Sequence, residues 1–568
     1  MAEREHVILG VWDGHDSGAA LLRAGEILFA ANEERFSRKK LDVEFPARSI
    51  REALKFAGLA PSEISVVAIS TSDFAKTLTR VLPALKRRYY LIRRRKVEPS
   101  PFNRFSKRAK YVLTEFGPGA LSRKASSAAV GRELRRLGFE HPRLVWVGHH
   151  DAHAAAAVAT SRFSRGLVLS LDGIGDGLSG LIGTFDGALV KILQTYSGKN
   201  SLGLFFEHVT NLLNMRELED EGKVMALASF GYPVPDEENP LLSWFEVDGL
   251  AIRARHHSWT MHARLARTLY LYPAEQFAYM AQRVLEVTIL QLVENACRAT
   301  GMSDVVYAGG VASNIKVNML LKNSPAVKNL YVFPHMGDGG LALGAALRAG
   351  QTLANVSRYP LPDLFLGPSY SSAEVERAIK TSGLPHEKVE RIEDRVAELI
   401  RDGRIVLWFR GRMEYGPRAL GHRSILARAD SVAIKDRLNV YLKKRVWYQP
   451  FCPTMLAEDA AEMLEDYNGV DNPFMTVGYK IKDIYADRLA AVINADHSCR
   501  PQILSDESSS FGRLLQKVKE LTGHGVVLNT SMNKHGESII NNPDEALALL
   551  AGSRFEYLAI ENFLVGKG

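Results

Sequence analysis

The sequence predicts an α/β protein whose first domain is internally duplicated around a nucleotide and whose second domain is a separate α/β unit. Three observations carry this. The segments "GHDSGAALLRAGEIL" and "GDGLSGLIGTFDGALV" share one plan, in which Asp-Gly leads through a polar turn to Ser-Gly and a hairpin glycine follows seven residues later. Gly18 to Gly25 and Gly180 to Gly187 keep that spacing, as two related half-domains would. Two further strand, glycine loop and helix units follow in "SDVVYAGGVASNIKVN" and "NLYVFPHMGDGGLALGAALRAG", and helix N-termini behind glycine loops attract anions. The chain has 568 residues and is 46% hydrophobic, enough for two to four cores.

Taken in order, the first strand ends at Asp13-Gly14. A basic helical insertion spans about 75–135, and strand "RLVWV" then runs to Gly148, ahead of an alanine-rich helix from Asp151. The next strand ends at Asp172-Gly173. The later glycine loops are Gly309-Gly310, with a helix from near Ser313, and Gly337 to Gly340, with a small-residue helix behind it. Beyond Gly350, "QTLANVSRYPLPDLFLGPSYSS" is rich in turn residues and lacks periodicity, so the domains are placed at 1–352 and 370–568.

Composition narrows the class. The start "MAEREHVILG" has no apolar signal core, and no apolar run approaches the roughly 18 residues of a membrane helix, so a cytoplasmic address is expected. Cys297, Cys452 and Cys499 are too few and too scattered for a disulfide framework. The net charge of +8 is local: Arg80 to Lys110 holds twelve cations and one glutamate, leaving −3 on the rest. In that arm Leu78, Leu82, Leu85, Tyr89 and Ile92 recur at helical spacing, with Pro83 at a turn or kink. The stripe reads as a packing face, and the cations as a surface for solvent, an anionic partner or a membrane.

"VWVGHHDAHAAAAVA" places His149 and His153 one turn apart on a single helical face, with His150 pointing elsewhere. A lone pair of this kind is more often packed than ligating. Here Asp172 and Asp338 end two predicted phosphate loops, where carboxylates are hard to justify unless a cation joins them. Two imidazoles with two carboxylates suit iron, zinc or manganese better than magnesium. The alanines would let this helix approach the sheet closely.

The motifs "HDSGAALL", "NEERFSRKK", "HHDAHAAAA", "LDGIGDG", "EGKVMALASFG", "GGVASN", "MGDGGLALGAAL", "GRMEYGPRALGHRSILA" and "LNTSMNKHGESI" occur in an order that resembles the NodU and CmcH type O-carbamoyltransferases. The resemblance implies an actin-like first domain, similar to the enzymes that make threonylcarbamoyl-adenosine in tRNA, and a YrdC-like second domain. It implies that the second domain uses ATP, with magnesium, and carbamoyl phosphate to form carbamoyladenylate, releasing phosphate and pyrophosphate. The first domain would pass the carbamoyl group to a small-molecule hydroxyl at a metal held by His149, His153, Asp172 and Asp338, iron being the first choice. Gly175, Asp176, Gly177, Gly309, Gly310, Gly339, Asn314, Asn318 and Lys223 would hold the adenylate. His15 would take the acceptor's proton, and Lys39, with Arg35 behind it, would reach the phosphate or the carbamoyl oxygen. Arg418, Lys443 and Arg500 would clamp phosphate and carbamate, with Asn529, Thr530 and Ser531 as donors. The family pattern "KxRExFRPFAP" reads "KKRVWYQPFCP" here, so Val446 and Gln449 replace a glutamate and an arginine, and Asn494 stands where a histidine is common.

Two rivals remain on sequence. A tRNA threonylcarbamoyl transferase would share the first-domain motifs but needs a broad positive surface, and no stable nucleic-acid partner is expected from −3 outside one segment. An actin-like ATPase regulator would explain the duplicated loops but leaves the histidines and the second domain without a task. A homodimer is compatible with either.

Overall fold

The computed structural model describes residues 6–99, 113–353 and 358–566. The chain separates into two compact units, residues 1–33 with 41–362 and residues 34–40 with 363–568. The short segment from Glu34 to Lys40 therefore groups with the second unit, which no single linear boundary anticipates.

Duplication is explicit in the first unit. Strands β1 (Val7–Trp12), β2 (Gly18–Arg23), β3 (Glu26–Asn32), β4 (Val66–Ser70) and β5 (Leu144–Val147) form a sheet of order β3-β2-β1-β4-β5. The second sheet is built from β6 (Arg165–Gly175), β7 (Leu178–Asp186), β8 (Leu189–Ser197), β11 (Asp304–Ala308) and β12 (Asn329–Val332), in order β12-β11-β6-β7-β8. A hairpin of β9 (Phe245–Asp248) and β10 (Ala251–Ala254) lies between β8 and β11 in sequence. In each sheet the leading strand pairs antiparallel with the hairpin partner beside it and parallel with the later strands, so both halves follow one actin-like plan. β6 does not stop at Asp172. It continues to Gly175 with irregular pairing between Leu171 and Gly175, which turns Asp172 out of the regular ladder.

The helix His149–Thr160 is buried along almost its whole length, as its run of alanines requires. Its closest partner is another helix rather than the sheet. A Cβ on Gly344, in the helix Leu341–Leu353, would stand 2.2 Å from the Ala152 carbonyl oxygen. Backbone meets backbone there, so Gly344→Ala is expected to force the helices apart at a cost of about 1–3 kcal/mol. A lower melting temperature for that variant is the check.

The basic insertion departs in part from its predicted orientation, since Arg87, Arg88 and Arg95 stay exposed while other cations turn inward. Helices Phe74–Val81, Pro83–Arg93 and Ala120–Arg136 form, with Pro83 in the first turn of the second, where its missing N–H costs nothing. Leu78, Leu82 and Leu85 are exposed, while Arg80, Lys86 and Arg94 are buried. The reason is a set of internal acids. Arg80 grips Asp13 through Nε at 2.8 Å and Nη2 at 2.9 Å, and Lys86 Nζ donates to the Asp13 carbonyl at 2.8 Å. Arg93 pairs with Glu207 and, at 2.6 Å, with Glu217, while Arg94 and Lys96 face Glu219 at 3.8 Å. Much of the arm's charge is thus neutralised by its own unit. Arg104, Lys107, Arg108 and Lys110 lie outside the described residues.

The second unit holds an eight-stranded mixed sheet of β13 (His386–Lys388), β14 (Val406–Phe409), β15 (Arg423–Ala427), β16 (Cys452–Leu456), β19 (Gln502–Leu504), β20 (Val526–Ser531), β21 (Tyr557–Ile560) and β22 (Phe563–Gly566), in order β13-β22-β21-β14-β15-β20-β16-β19. A small ladder pairs β17 (Tyr479–Lys480) with β18 (Ser498–Cys499). Helices Ile392–Arg401 and Ser510–Thr522 bury Val396, Ile400, Leu514 and Val518 against Trp408 and Val527 of the sheet. The three cysteines are free and buried, and among the described residues no helix is long and apolar enough to cross a membrane.

Candidate functional site

In the first unit the four ligand candidates converge. Ligand atoms of His149, His153, Asp172 and Asp338 all lie within 4.8 Å of one another. His149 Nε2 and His153 Nε2 stand 3.1 and 3.2 Å from Asp172 Oδ2, and 3.6 and 3.7 Å from Asp338 Oδ1. A tetrahedral ion with bonds of about 2.0–2.1 Å has ligand-to-ligand edges of about 3.3–3.4 Å. The observed separations bracket that value, so the donor set fits a divalent ion of the iron or zinc type without rebuilding the site.

Local backbone chemistry explains the convergence. Asp172 Oδ1 is fixed by the Gly173 and Gly310 N–H groups at 2.8 and 3.2 Å, which leaves Oδ2 for the imidazoles. Asp176 Oδ2 accepts from the His149 N–H at 2.7 Å and so anchors the first turn of the ligand helix. Gly175 is required by close approach, since a Cβ would fall 2.2 Å from the His149 ring. Burial alone would push the His149 imidazole down, but Asp338 and Asp172 outweigh it and hold it up at about 9. The same negative potential favours a cation over that proton.

His15 Nδ1 lies 3.3 Å from Asp338 Oδ2, and its ring stands 5.6 Å from Tyr90. Burial drives it down to about 4 against the pull of Asp338, with Arg94 and Arg93 adding to the depression. It is therefore neutral at working pH. Sequence reasoning missed Lys76, whose ammonium sits 4.0 Å over Trp12 and 3.4 Å from Asp13 beside the first loop. Its signal was a lone lysine between Ala75 and Thr77, which nothing distinguishes from a surface residue.

Several residues expected to face the adenylate also make contacts within the protein. Gly310 spends its N–H on Asp172, and the backbone of Gly309 donates to Met336. Asn314 caps the helix Ile315–Asn323 through Val317 and exchanges amide hydrogen bonds with Gln282, while Asn318 donates to the Ala312 carbonyl. Gly339 packs on Asp16 and His335, and Gly177 packs on the Glu115 carbonyl. Lys223 pairs with Asp220 at 2.7 Å. These contacts shape the loops around the ligand cluster. Arg35 is a clearer correction. It is buried in the second unit, donating to the Gly416 carbonyl at 2.5 Å and to Ser538 Oγ at 3.4 Å, because residues 34–40 group there. Lys39, on the same segment, is exposed.

In the second unit Arg418 and Arg500 gather around Cys452 together with Arg445, which the sequence reading passed over. Arg500 Nη2 lies 3.0 Å from Cys452 Sγ. Burial lowers Arg418 to about 9 and Arg445 to about 10, Arg500 contributing to both, and no carboxylate is among the charged groups acting on either. Arg445 also donates to Asn439 Oδ1 at 2.7 Å and to the Pro450 carbonyl at 3.3 Å, and the grouping offers positive charge to an anion. Glu414 builds its rim, because Oε1 accepts the N–H groups of Leu420, His422 and Arg423 at 2.8–3.0 Å and so folds the loop that carries Arg418.

Lys443 is not a free clamp. Its ammonium binds the Ser531 carbonyl at 2.6 Å and Asn533 Oδ1 at 2.7 Å, so it orders the loop after β20, and Ser531 Oγ joins the same network. Asn529 is buried and donates to Thr454 Oγ1 at 3.0 Å, whereas Thr530 keeps partial exposure. Asn494 bonds Ser498 Oγ at 3.0 Å, and the buried Oε1 of Gln449 has no partner among the described residues.

A duplicated actin-like domain carrying a two-histidine, two-aspartate cluster, joined to a second α/β unit with a cluster of arginines, is the class these features define. Residues 7–347 match the Carbamoyltransferase N-terminus family and residues 397–567 match the Carbamoyltransferase C-terminus family. The chain belongs to the carbamoyltransferase family. It is 30% identical over 569 residues to Nodulation protein NolNO of Sinorhizobium fredii, spanning 97% of this chain and 79% of that one. It is 32% identical to Nodulation protein NolO of Bradyrhizobium diazoefficiens over 437 residues, 74% of this chain and 79% of the relative. Among solved structures, full-length HypF in its phosphate- and nucleotide-bound form is similar at 14% identity, with a TM-score of 0.38, over 62% of this chain and 47% of that one.

Proposed function

We propose that this carbamoyltransferase works in two half-reactions, the first of which consumes ATP, and the observation that carries the reading is the convergence of His149, His153, Asp172 and Asp338 on one point. In the second unit, water would release carbamate and phosphate from carbamoyl phosphate, and carbamate would attack the α-phosphate of ATP, forming carbamoyladenylate and expelling pyrophosphate. Arg418, Arg445 and Arg500 supply fixed positive charge for those anions, and the loop ordered by Lys443 and Ser531 shapes their surroundings. Gln449 offers an amide where the family pattern has an arginine, so carbamoyl phosphate is expected to bind here with one charge-assisted contact fewer.

In the first unit the carbamoyl group would pass from carbamoyladenylate to a small-molecule hydroxyl of natural-product or glycan type, with AMP as the leaving group. A divalent ion held by the four ligands, iron first and zinc or manganese otherwise, would act as a Lewis acid on the carbamoyl oxygen. His15, neutral and beside Asp338, takes the proton of the attacking hydroxyl. Lys76, next to Gly14, offers its ammonium to the adenylate phosphate. Mixing the protein with ATP and carbamoyl phosphate in the absence of acceptor tests the first step. Pyrophosphate release that requires carbamoyl phosphate is the expected result, and ATP hydrolysis indifferent to carbamoyl phosphate would overturn it.

His15→Gln is expected to leave pyrophosphate release intact while lowering kcat for transfer by about 10²–10⁴. Because burial places His15 at about 4, the wild-type transfer rate should fall below pH 5 and should not titrate on this group at neutral pH. A single-turnover assay with preformed carbamoyladenylate reads both.

A further inference from the structure

We propose that Asp459, Glu462 and His524 form a second divalent-metal site, of zinc type, that pins the entrance of β20 to the helix following β16. The three residues flank two neighbouring strands. β16 pairs antiparallel with β20 in the register Met455↔Val526 and Cys452↔Asn529. Asp459 and Glu462 therefore lie just beyond one end of this pair, on the helix Ala457–Met463, with His524 just ahead of β20 at the same end. Cys452, which Arg500 contacts, is at the other end.

Asp459 is completely buried. Its Oδ2 accepts the Gly525 N–H at 3.1 Å, whereas its buried Oδ1 has no hydrogen-bond partner among the described residues. That oxygen faces His524 Nδ1 at 3.4 Å, and this nitrogen is likewise buried without a hydrogen bond. The two buried groups face each other as an ion pair too long for a good hydrogen bond, a gap that a bound cation would close, since unsatisfied buried polar atoms cost about 1–3 kcal/mol each. A charge-assisted hydrogen bond would draw them to about 2.7–2.9 Å. The observed gap instead matches the edge of a tetrahedron with bonds of about 2.0–2.1 Å, and it falls within the 3.1–3.7 Å found between imidazole and carboxylate in the first cluster.

Glu462 supplies the third ligand atom, all three lying within 4.8 Å of one another, and the Tyr485 hydroxyl holds its Oε1 at 2.5 Å. Lys519 is the competing cation. Its ammonium is taken by Glu458 at 2.6 Å and stands 3.7 Å from Asp459 Oδ2, the oxygen turned away from His524. One imidazole and two carboxylates leave a fourth position for water, an arrangement that suits zinc better than magnesium.

Full-length protein stripped with a chelator and titrated with zinc, read by calorimetry and by metal content after desalting, tests this. Wild type is expected to bind one equivalent more than His524→Ala, and zinc should raise the melting temperature of wild type by more than that of the variant. Glu462 is exposed, so Glu462→Gln keeps the fold and should weaken the same equivalent at least ~10-fold. It decides the matter alone if His524→Ala fails to fold. Equal zinc stoichiometry and affinity in wild type and Glu462→Gln would overturn the site and leave a simple imidazolium–carboxylate pair.

Discussion

Asp172→Asn is expected to abolish metal retention and to lower carbamoyl transfer by about 10³-fold, while pyrophosphate release in the second unit stays near wild type. One carboxylate serves two sets of partners. Oδ2 faces both imidazoles at 3.1 and 3.2 Å, and Oδ1 accepts two backbone N–H groups at 2.8 and 3.2 Å. An amide must keep its oxygen toward Gly173 and Gly310, because the reverse places two donors against two donors. Its NH₂ then points at the histidines and cannot ligate. Charge and lone pair are lost together at one position, yet the backbone hydrogen bonds survive, so the fold should persist.

A pH titration separates this loss from misfolding. In the metal-free protein His149 is held at about 9, above its ordinary value of 6.5. The stabilisation that its protonated form contributes is complete below about pH 6.5 and disappears as pH rises through about 9. Metal takes the place of that proton, so binding to wild type near neutrality should release about one proton per ion and weaken as pH falls. Asp172→Asn removes a carboxylate that raises His149, and the stabilisation should then fade at lower pH. Calorimetry in two buffers of different ionisation enthalpy reads the proton count. Unchanged metal content in the variant would remove Asp172 from the ligand set.

Much of the first unit was legible because its determinants are local. The Gly18 to Gly25 and Gly180 to Gly187 spacings are hairpin geometry, and both hairpins form where the spacing places them. His149 and His153 share a face by helical period alone, and their meeting with Asp172 and Asp338 followed from asking what would make loop carboxylates tolerable. Several of the misreadings are cases where a partner distant in sequence decides orientation. Leu78, Leu82 and Leu85 have helical spacing, but which face turns inward was set by Asp13, Glu207, Glu217 and Glu219, which the period cannot see. Arg35 sits in a first-unit motif, yet its acceptors are Gly416 and Ser538. Lys443 and Asn314 carry chemistry that suits ligands, and that chemistry is spent on loop and cap. Arg445 had no motif of its own and is evident only once Arg418 and Arg500 stand around Cys452.

Arg93→Met carries the largest stability effect expected outside the ligand cluster, about 3–5 kcal/mol. Arg93 is nearly buried and bridges Glu207 and Glu217, the second of which is almost wholly inaccessible. Methionine preserves the length and apolar stem but strands two carboxylates in a region already short of counter-charge. Glu221, close by, is driven up to about 8 by burial and by Glu207. Without the guanidinium, Glu207 and Glu217 should take raised pKa values in the folded state, so the variant's deficit should be greatest at alkaline pH and shrink as acid protonates them. Thermal melts of wild type and variant from pH 5 to pH 8 give that slope. Glu217→Gln added to Arg93→Met should recover part of the loss at pH 8 and little at pH 5, because it removes one stranded charge. Arg93 also helps to depress His15, so the same substitution should let the histidine titrate closer to neutrality and move the acid limb of the transfer rate upward. A stability deficit independent of pH would mean that Arg93 acts by packing rather than by charge, and the basic arm would then need another reason for folding with its cations inward.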